Sequence, residues 1–505
     1  MNLHSNAEQL QQRSTTIDMD PETFRTIGHQ MIDDIANFLS NIEELPVTNS
    51  PLPHELHEKL PREIPVRGTD ASELIKDTWK LLVQNSLFNG HPKFWGYITS
   101  SPAPIGILGD LMASAINSNC GAYVLSPMAT EIEKQTIDWL GQFIGYPAGS
   151  GIMVSGGNMA NFIGFLAARK ARADWNIREA GIQPSEGKWR VYTSSETHTW
   201  VNKAADLFGL GLNAVRWIPT DAEQRMDIEK LEQAIELDLK AGFLPFMIVG
   251  TAGSVSTGTV DPFDQIAACC EKYRCWFHVD GAYGGFAAAL PELKEMFNGI
   301  EKADSIAIDP HKWLYSPLEA GCTLVKDPNA LLDAFSFHPV YYNFDGNEEP
   351  QTNFHEQGMQ NSRGFRALKV WLGMRQIGIE GHIKLIREDI QLAEILFETL
   401  KKYEDIETFT QHLSITTFRY IPAGTNKTTS QEYLNKLNQT LLNKLQSGGE
   451  VFPSNAVING SFVIRVCIVN FRTVLNDIES LPAIVRREGK LIHEEMQKNA
   501  PGLFP

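Results

Sequence analysis

The sequence predicts an α/β protein: a large, mainly parallel sheet domain (residues 90–387), preceded by a helical arm (1–89) and followed by a small α+β domain (388–505). Three patterns predict this. Between about Gly90 and Arg387, short β-branched or apolar runs alternate with helical patterns, as βαβ units with helices on both sheet faces require. Ahead of them lies one amphipathic helix followed by a proline-rich stretch, with too little apolar surface to close a core. After them, strands and helices mix in a shorter pattern.

The composition is that of a globular chain. Its 505 residues carry 44 Lys+Arg against 61 Asp+Glu, a net charge of −17, with 43% hydrophobic residues. Such a length buries a large core without disulfide or metal staples, and no metal site is expected. The acidic balance speaks against nucleic acid or an anionic membrane as partner. The densest basic stretch, Arg169-Lys170-Ala171-Arg172, reads as a solvated helix face. No apolar run approaches the roughly 18 residues of a membrane span, and Met1 to Arg13 is polar, unlike an export signal. Six cysteines without a C-x-x-C pair fit reduced thiols and a cytoplasmic protein.

In chain order, Phe24, Ile27, Met31, Ile35 and Phe38 recur at helical spacing after Asp20-Pro21, a cap followed by a first-turn proline. The following stretch, PVTNSPLPHELHEKLPREIPVRG, is too proline-dense for regular structure and reads as an extended arm leaning on the body or on a second subunit. Strands are expected at Gly151–Ser155, Trp189–Thr193, Ala214–Ile218, Phe246–Thr251, Cys275–Val279, Ser305–Ile308 and Thr323–Lys326. A helix around Ile383–Tyr403 leads to the last domain, with strands at Ser414–Arg419 and Phe462–Val466. Ligands of such sheets sit beyond the carboxyl ends of the strands.

Three strand-end motifs fall there. Ser155-Gly156-Gly157-Asn158 turns tightly into a helix whose free first amides and dipole suit a phosphate. Phe277-His278-Val279-Asp280 ends an apolar strand in a carboxylate, either a turn cap or an acid that holds a proton on a cationic ring nitrogen. Asp309-Pro310-His311-Lys312-Trp313 puts a lysine between His and Trp at a third strand end, where desolvation would make its amine a nucleophile.

Together with HPKFWGYITSSPAP, SSETHTW and NSRGFRALKVW, in this order over about 300 residues, these motifs resemble the pyridoxal-phosphate (PLP) decarboxylases of the group that includes aromatic-L-amino-acid and glutamate decarboxylases. The resemblance implies PLP fold type I and decarboxylation of an L-amino acid to amine and CO2. It makes Lys312 the Schiff-base lysine, Asp280 the partner of the pyridinium nitrogen, and His198 the ring stacked on the cofactor. Ala282 would face the other side of that ring, and Gly157 and Asn158 would hold the phosphate beside His311.

The chain departs from the family pattern at several points. Asp309 stands where the aromatic decarboxylases usually carry Asn near the phosphate, turning a neutral donor into a potential anion. A cofactor-contacting Thr falls at Val255, leaving Ser254 or Ser256 as substitute donors, and Ser100 replaces a Thr near the substrate carboxylate. Counting back from FRALKVW, the tyrosine that protonates the substrate carbon falls at Phe354. This implies slow reprotonation and an alternative outcome, the aldehyde, ammonia and peroxide of the related aldehyde synthases, unless His355, Tyr341 or Tyr342 supplies the proton.

Phe94, Trp95 and Tyr97 offer flat surface on the substrate side and favour aromatic amino acids, with core packing as the plainer account of such a cluster. Two rival readings remain: an aminotransferase, with Arg465 as carboxylate clamp, and a non-catalytic PLP-fold protein. The arm without a core, and the family habit of completing sites across a subunit boundary, predict a homodimer.

Overall fold

The computed structural model describes residues 17–182, 188–337, 351–422 and 430–499, with positions 11 and 15 before them. The arm begins with α1 (Pro21–Ser40), where the Asp20 carboxylate accepts the Glu22 and Thr23 amides at 3.1 and 3.0 Å. No residue of α1 is buried in the single chain, although Phe38 meets Trp79 and Phe88 edge-on. The proline-rich connector is less irregular than expected. Pro53–His57 forms one helical turn because Pro53 presets the backbone and the Glu55 carboxylate accepts the Leu52 amide at 2.7 Å. A second arm helix, α2 (Ala71–Asn85), is capped by Asp70.

The body follows as α3 (Pro104–Ile116), α4 (Pro127–Phe143), β1 (Ser150–Val154), α5 (Gly157–Arg172), β2 (Lys188–Ser194), α6 (Trp200–Leu207) and β3 (Val215–Ile218). Then come α7 (Ile228–Lys240), β4 (Phe243–Thr251), α8 (Phe263–Tyr273), β5 (Trp276–Asp280), β6 (Ser305–Ile308), α9 (Pro310–Trp313), β7 (Gly321–Val325) and the long α10 (Ala367–Leu400). The seven strands lie within three residues of their expected positions and form one sheet in the order β1-β7-β6-β5-β4-β2-β3. Five neighbours, β6 through β3, pair in parallel, whereas β7 runs antiparallel to both β1 and β6. The β6–β7 connection, residues 309–320, never crosses back over the sheet; it stays at the carboxyl end of β6, so β7 must return.

The small domain holds an antiparallel sheet, β10-β11-β9-β8, built from β8 (Ile406–His412), β9 (Ile415–Tyr420), β10 (Ser454–Ile458) and β11 (Ser461–Cys467). Helices α11 (Gln431–Ser447) and α12 (Leu475–Asn499) accompany it. The boundary expected after residue 387 falls inside α10. That helix lends Ile386 and Ile390 to the sheet-domain core and Ala393, Leu396 and Leu400 to the second. Among the described residues no helix is long and apolar enough to cross a membrane.

One core histidine sets an acid limit on this fold. His278 is wholly buried, bridging Ser305 Oγ and Asn161 Oδ1 at 2.7 Å each, and burial pushes its pKa down to about 4. The unfolded chain takes up this proton near its ordinary value of about 6.5 while the folded chain refuses it, so stability falls as pH drops from about 6.5 to about 4, by roughly 3 kcal/mol from this group. We expect urea midpoints to fall over that window, and His278→Gln to flatten the slope; equal slopes would remove His278 as the cause.

Candidate active site

The carboxyl ends of β1, β4, β5 and β6 wall one cavity of about 630 Å3. Lys312 enters it from α9, a single turn started by Pro310. Its Nζ lies 3.1 Å from Asp309 Oδ2, and its side chain keeps one fifth of its surface exposed while Asp309 is fully enclosed. Asp280, the last residue of β5, is fixed by the Trp200 indole N–H at 2.8 Å and the Ala282 amide at 3.2 Å. Trp200 opens α6, so the segment carrying His198 and the strand carrying Asp280 are locked together. The Trp200 amide donates to His198 Nδ1 at 3.3 Å, which leaves the proton of the neutral ring on Nε2. Burial holds the pKa of His198 below its ordinary value, and does the same to His311, whose Nδ1 sits 2.7 Å from the Ala320 carbonyl.

The glycines of the first motif make room. A Cβ on Gly156 would stand 3.1 Å from His311 Cε1, and one on Gly157 would stand 2.8 Å from Asp309 Oδ2 and 3.1 Å from Ala282 Cβ. The first amides of α5, at Gly157, Asn158 and Met159, have no carbonyl a turn earlier to bond and so face the cavity end of the helix.

Gly157, Asn158, His198, Asp280, Ala282, Asp309, His311 and Lys312 thus all line the cavity. Four other expected residues do not. Ser254 is turned away, its hydroxyl 2.8 Å from that of Thr257, and the cavity meets Gly253 and Val255 instead. Ser100 donates to the His311 carbonyl at 2.8 Å, supporting the lysine turn from behind. Trp95 is fully buried in the small-domain core, and Tyr97 is largely exposed outside the cavity.

Phe354 does not line the cavity either. It is 1% exposed, packed in the core with the Arg363 guanidinium 4.9 Å from its ring centre. His355 is 3.0 Å from the Gly121 carbonyl through Nδ1, and Tyr341 and Tyr342 lie outside the described residues. Conversely, Thr99, Thr251, Met159, Leu318 and Glu319 line the cavity without having been singled out. The position of Thr251 as the last residue of a parallel strand was the available signal.

These features fit PLP. The cavity offers an amine for an aldehyde, a fixed carboxylate for a ring nitrogen, and a glycine-lined helix N-terminus for a phosphate. Two enclosed polar atoms in its wall, Thr99 Oγ1 and Asp309 Oδ1, have no partner within the described chain. A lysine at the end of a sheet strand, facing a carboxylate on the neighbouring strand, places the molecule among PLP-dependent enzymes of fold type I.

Comparison with known proteins narrows this. Residues 53–421 match the pyridoxal-dependent decarboxylase conserved domain. The chain is 32% identical over 468 residues to an aromatic-L-amino-acid decarboxylase of Bacillus atrophaeus, covering 92% of this chain and 95% of the relative. It is 31% identical to a phenylacetaldehyde synthase of Petunia hybrida, covering 90% and 92%. A crystal structure of Oryza sativa TDC with PLP and tryptamine superposes with a TM-score of 0.87 at 26% identity, covering 95% of this chain and all of that one. The chain belongs to the pyridoxal-dependent decarboxylase family and is a PLP-dependent amino-acid decarboxylase.

The glycine cradle gives a direct test. Gly157→Ala drives a methyl group into Asp309 and Ala282, an overpacking that costs about 1–3 kcal/mol. We expect a lower melting temperature and a loss of retained PLP on dialysis of roughly tenfold or more, by the conversion of 1.4 kcal/mol per decade. Unchanged retention would show that the cradle does not hold the cofactor.

Proposed function

We propose that this enzyme decarboxylates an aromatic L-amino acid to its amine, as a homodimer in the cytoplasm. The observation that carries the substrate class is the cavity wall. Ile98, Met159, Val255 and Leu318 supply apolar surface; among the described residues Lys312 is the one lysine in the wall and no arginine lines it, and Glu319 is paired with Arg366 at 2.9 Å. A glutamate-like side chain finds no cationic partner there among the described residues, whereas a flat apolar one is accommodated. The names of the relatives, aromatic-L-amino-acid, tyrosine and tryptophan decarboxylases, agree with this.

Each residue has a distinct task in this reading. Lys312 would hold the cofactor aldehyde through its amine. Asp280, immobilised by Trp200, would hold a proton on the ring nitrogen, and His198, which burial shifts toward its neutral form, would flank that ring. PLP, when bound, supplies the electron-accepting ring that stabilises the negative charge left on the substrate carbon as CO2 departs. The cavity walls would orient the substrate carboxylate against the bound cofactor, and positioning of this kind is the main lever on which bond breaks. The aldehyde-forming alternative keeps the support of relatives such as the phenylacetaldehyde synthases but loses its residue-level argument, since Phe354 is a core residue.

Support for the dimer lies on α3. Gly106 and Gly109 pack it against the body, while its other side exposes Leu108, Leu111, Met112 and Ile116. A soluble chain rarely leaves such a row uncovered. All six cysteines are free and buried, as suits a reducing compartment.

The deciding experiment incubates the PLP-loaded enzyme with tyrosine, tryptophan, phenylalanine, DOPA and glutamate and measures CO2, amine, aldehyde and peroxide together. Amine and CO2 in equal amounts from the aromatic set support the reading; stoichiometric aldehyde and peroxide, or glutamate as best substrate, overturn it. Lys312→Ala should lose turnover and release PLP on dialysis. Light scattering should give twice the chain mass, and a fully active monomer would refute the dimer.

A further inference from the structure

Resting on the reading that this cavity holds PLP, we propose that Asp309 binds the cofactor phosphate through one shared proton, taken from solvent as the cofactor enters. The geometry gives the reason. Asp309 ends β6 and is 1% exposed, pressed against the start of α5 so closely that Oδ2 occupies the space a Gly157 side chain would need. That helix start is where the free amides gather an anion. A carboxylate has therefore been placed at the mouth of an anion site.

Its two oxygens are unequal. Oδ2 is engaged by Lys312 Nζ at 3.1 Å, with His311 Nε2 at 3.6 Å, whereas Oδ1 is enclosed and has no hydrogen-bond partner among the described residues. An enclosed carboxylate short of a donor is costly, and a phosphate brought to the helix start beside Oδ2 adds anion to anion. The nearby cation is also committed elsewhere in the bound enzyme, because Lys312 is the amine that takes the cofactor aldehyde. A single proton between carboxyl and phosphate resolves both conflicts: it replaces the lysine as the donor to Oδ2, at the helix start, and the paired charge falls by one. Atoms balance as one carboxylate, one phosphate dianion and one solvent proton forming one hydrogen-bonded pair.

The other ionisable groups around Asp309 do not supply that proton instead. His311, from α9, and His198, from the β2–α6 segment, are both shifted toward the neutral form by burial. Cys322, on β7, has its thiol pushed well up and stays protonated. Asp280 on β5 adds negative charge to the same cavity, and Glu319 in the β6–β7 connection is paired with Arg366 at 2.9 Å.

The test is equilibrium dialysis of PLP, and separately of pyridoxal, which lacks the phosphate, against the full-length wild type and Asp309→Asn. A free phosphate monoester loses its last proton near pH 6, so above that value binding must draw the proton from solvent. From about pH 7 to about pH 9 the wild-type dissociation constant for PLP should therefore rise more steeply than that of Asp309→Asn, by up to about tenfold per pH unit. With pyridoxal the two profiles should run parallel.

Parallel profiles with PLP would overturn the proposal, as would equal divergence with pyridoxal, which would make Asp309 merely the counter-ion of Lys312. A wild-type chain that binds neither compound would overturn the cofactor reading itself, and this inference with it. A chain that binds PLP with no difference between wild type and variant would overturn this inference alone.

Discussion

The fold is organised around one fully enclosed ion pair, Glu133 with Arg363. Glu133 on α4 and Arg363 in the segment before α10 are essentially without solvent contact. Such a pair is tolerable only when every remaining donor and acceptor is used. Here Arg363 also donates to the carbonyls of Cys120 and Met153, at 2.9 and 2.7 Å, while Glu133 accepts the Met153 amide at 3.1 Å. Met153 is thereby clamped through both its backbone groups, two residues before the turn that opens α5. The glycine turn at the start of α5 inherits its position from a charge pair that bonds the chain two residues away. The same guanidinium presents its face to Phe354, so an aromatic ring at that position belongs to the clamp.

A chain of charge −17 that binds an anionic cofactor has to solve an electrostatic conflict, and the cavity does so without added basic side chains. Asp280 and Asp309 stand against Lys312 and two histidines whose burial favours the neutral form, while Glu319 is offset by Arg366 at 2.9 Å. Attraction must then come from fixed dipoles, the amides at the start of α5, which need no counter-charge and lose no entropy when used. Deeper in the wall, Asp261 follows the same economy of backbone donors. It is fully buried, its pKa is raised to about 6 by burial, and its oxygens accept the Met226 and Thr251 amides at 2.7 and 2.8 Å, which fixes the cavity end of β4.

What the sequence made legible follows the range of the interactions concerned. The strand ends carrying Gly157, Asp280 and Lys312 were readable because a strand, a sharp turn and a small residue are encoded within a few positions, and parallel topology brings such ends together. The turn of β7 was not, since strand direction depends on where the intervening chain packs. Side-chain facing was the other blind spot. Ser254 and Val255 are neighbours, yet one joins a hydroxyl chain with Thr257 and Thr259 while the other faces the cavity. Trp95 and Tyr97 lie two residues apart, but the first is drawn into the small-domain core and donates to Thr473 at 3.3 Å. Helix α2 escaped notice because its apolar residues bury nothing in the single chain.

The lysine itself stands on an element with no stability of its own. Four residues of helix cannot repay nucleation, so the geometry of α9 must be imported from its neighbours. It comes from both flanks of Lys312. On one side Ser100 holds the His311 carbonyl; on the other Trp313 stacks on Tyr283 with ring centres 4.9 Å apart and donates to Asp389 at 2.9 Å, where the Tyr315 hydroxyl also donates at 2.7 Å. Asp389 is wholly buried on α10, its pKa pushed up to about 7, at the point where that helix passes from one core to the other. Tyr283 in turn shares a 2.6 Å hydrogen bond with Ser414, which precedes β9 of the small domain. The reactive amine is therefore positioned by contacts that converge from the sheet domain, the small domain and the helix joining them, and the precision of the site depends on the two cores keeping a fixed relation.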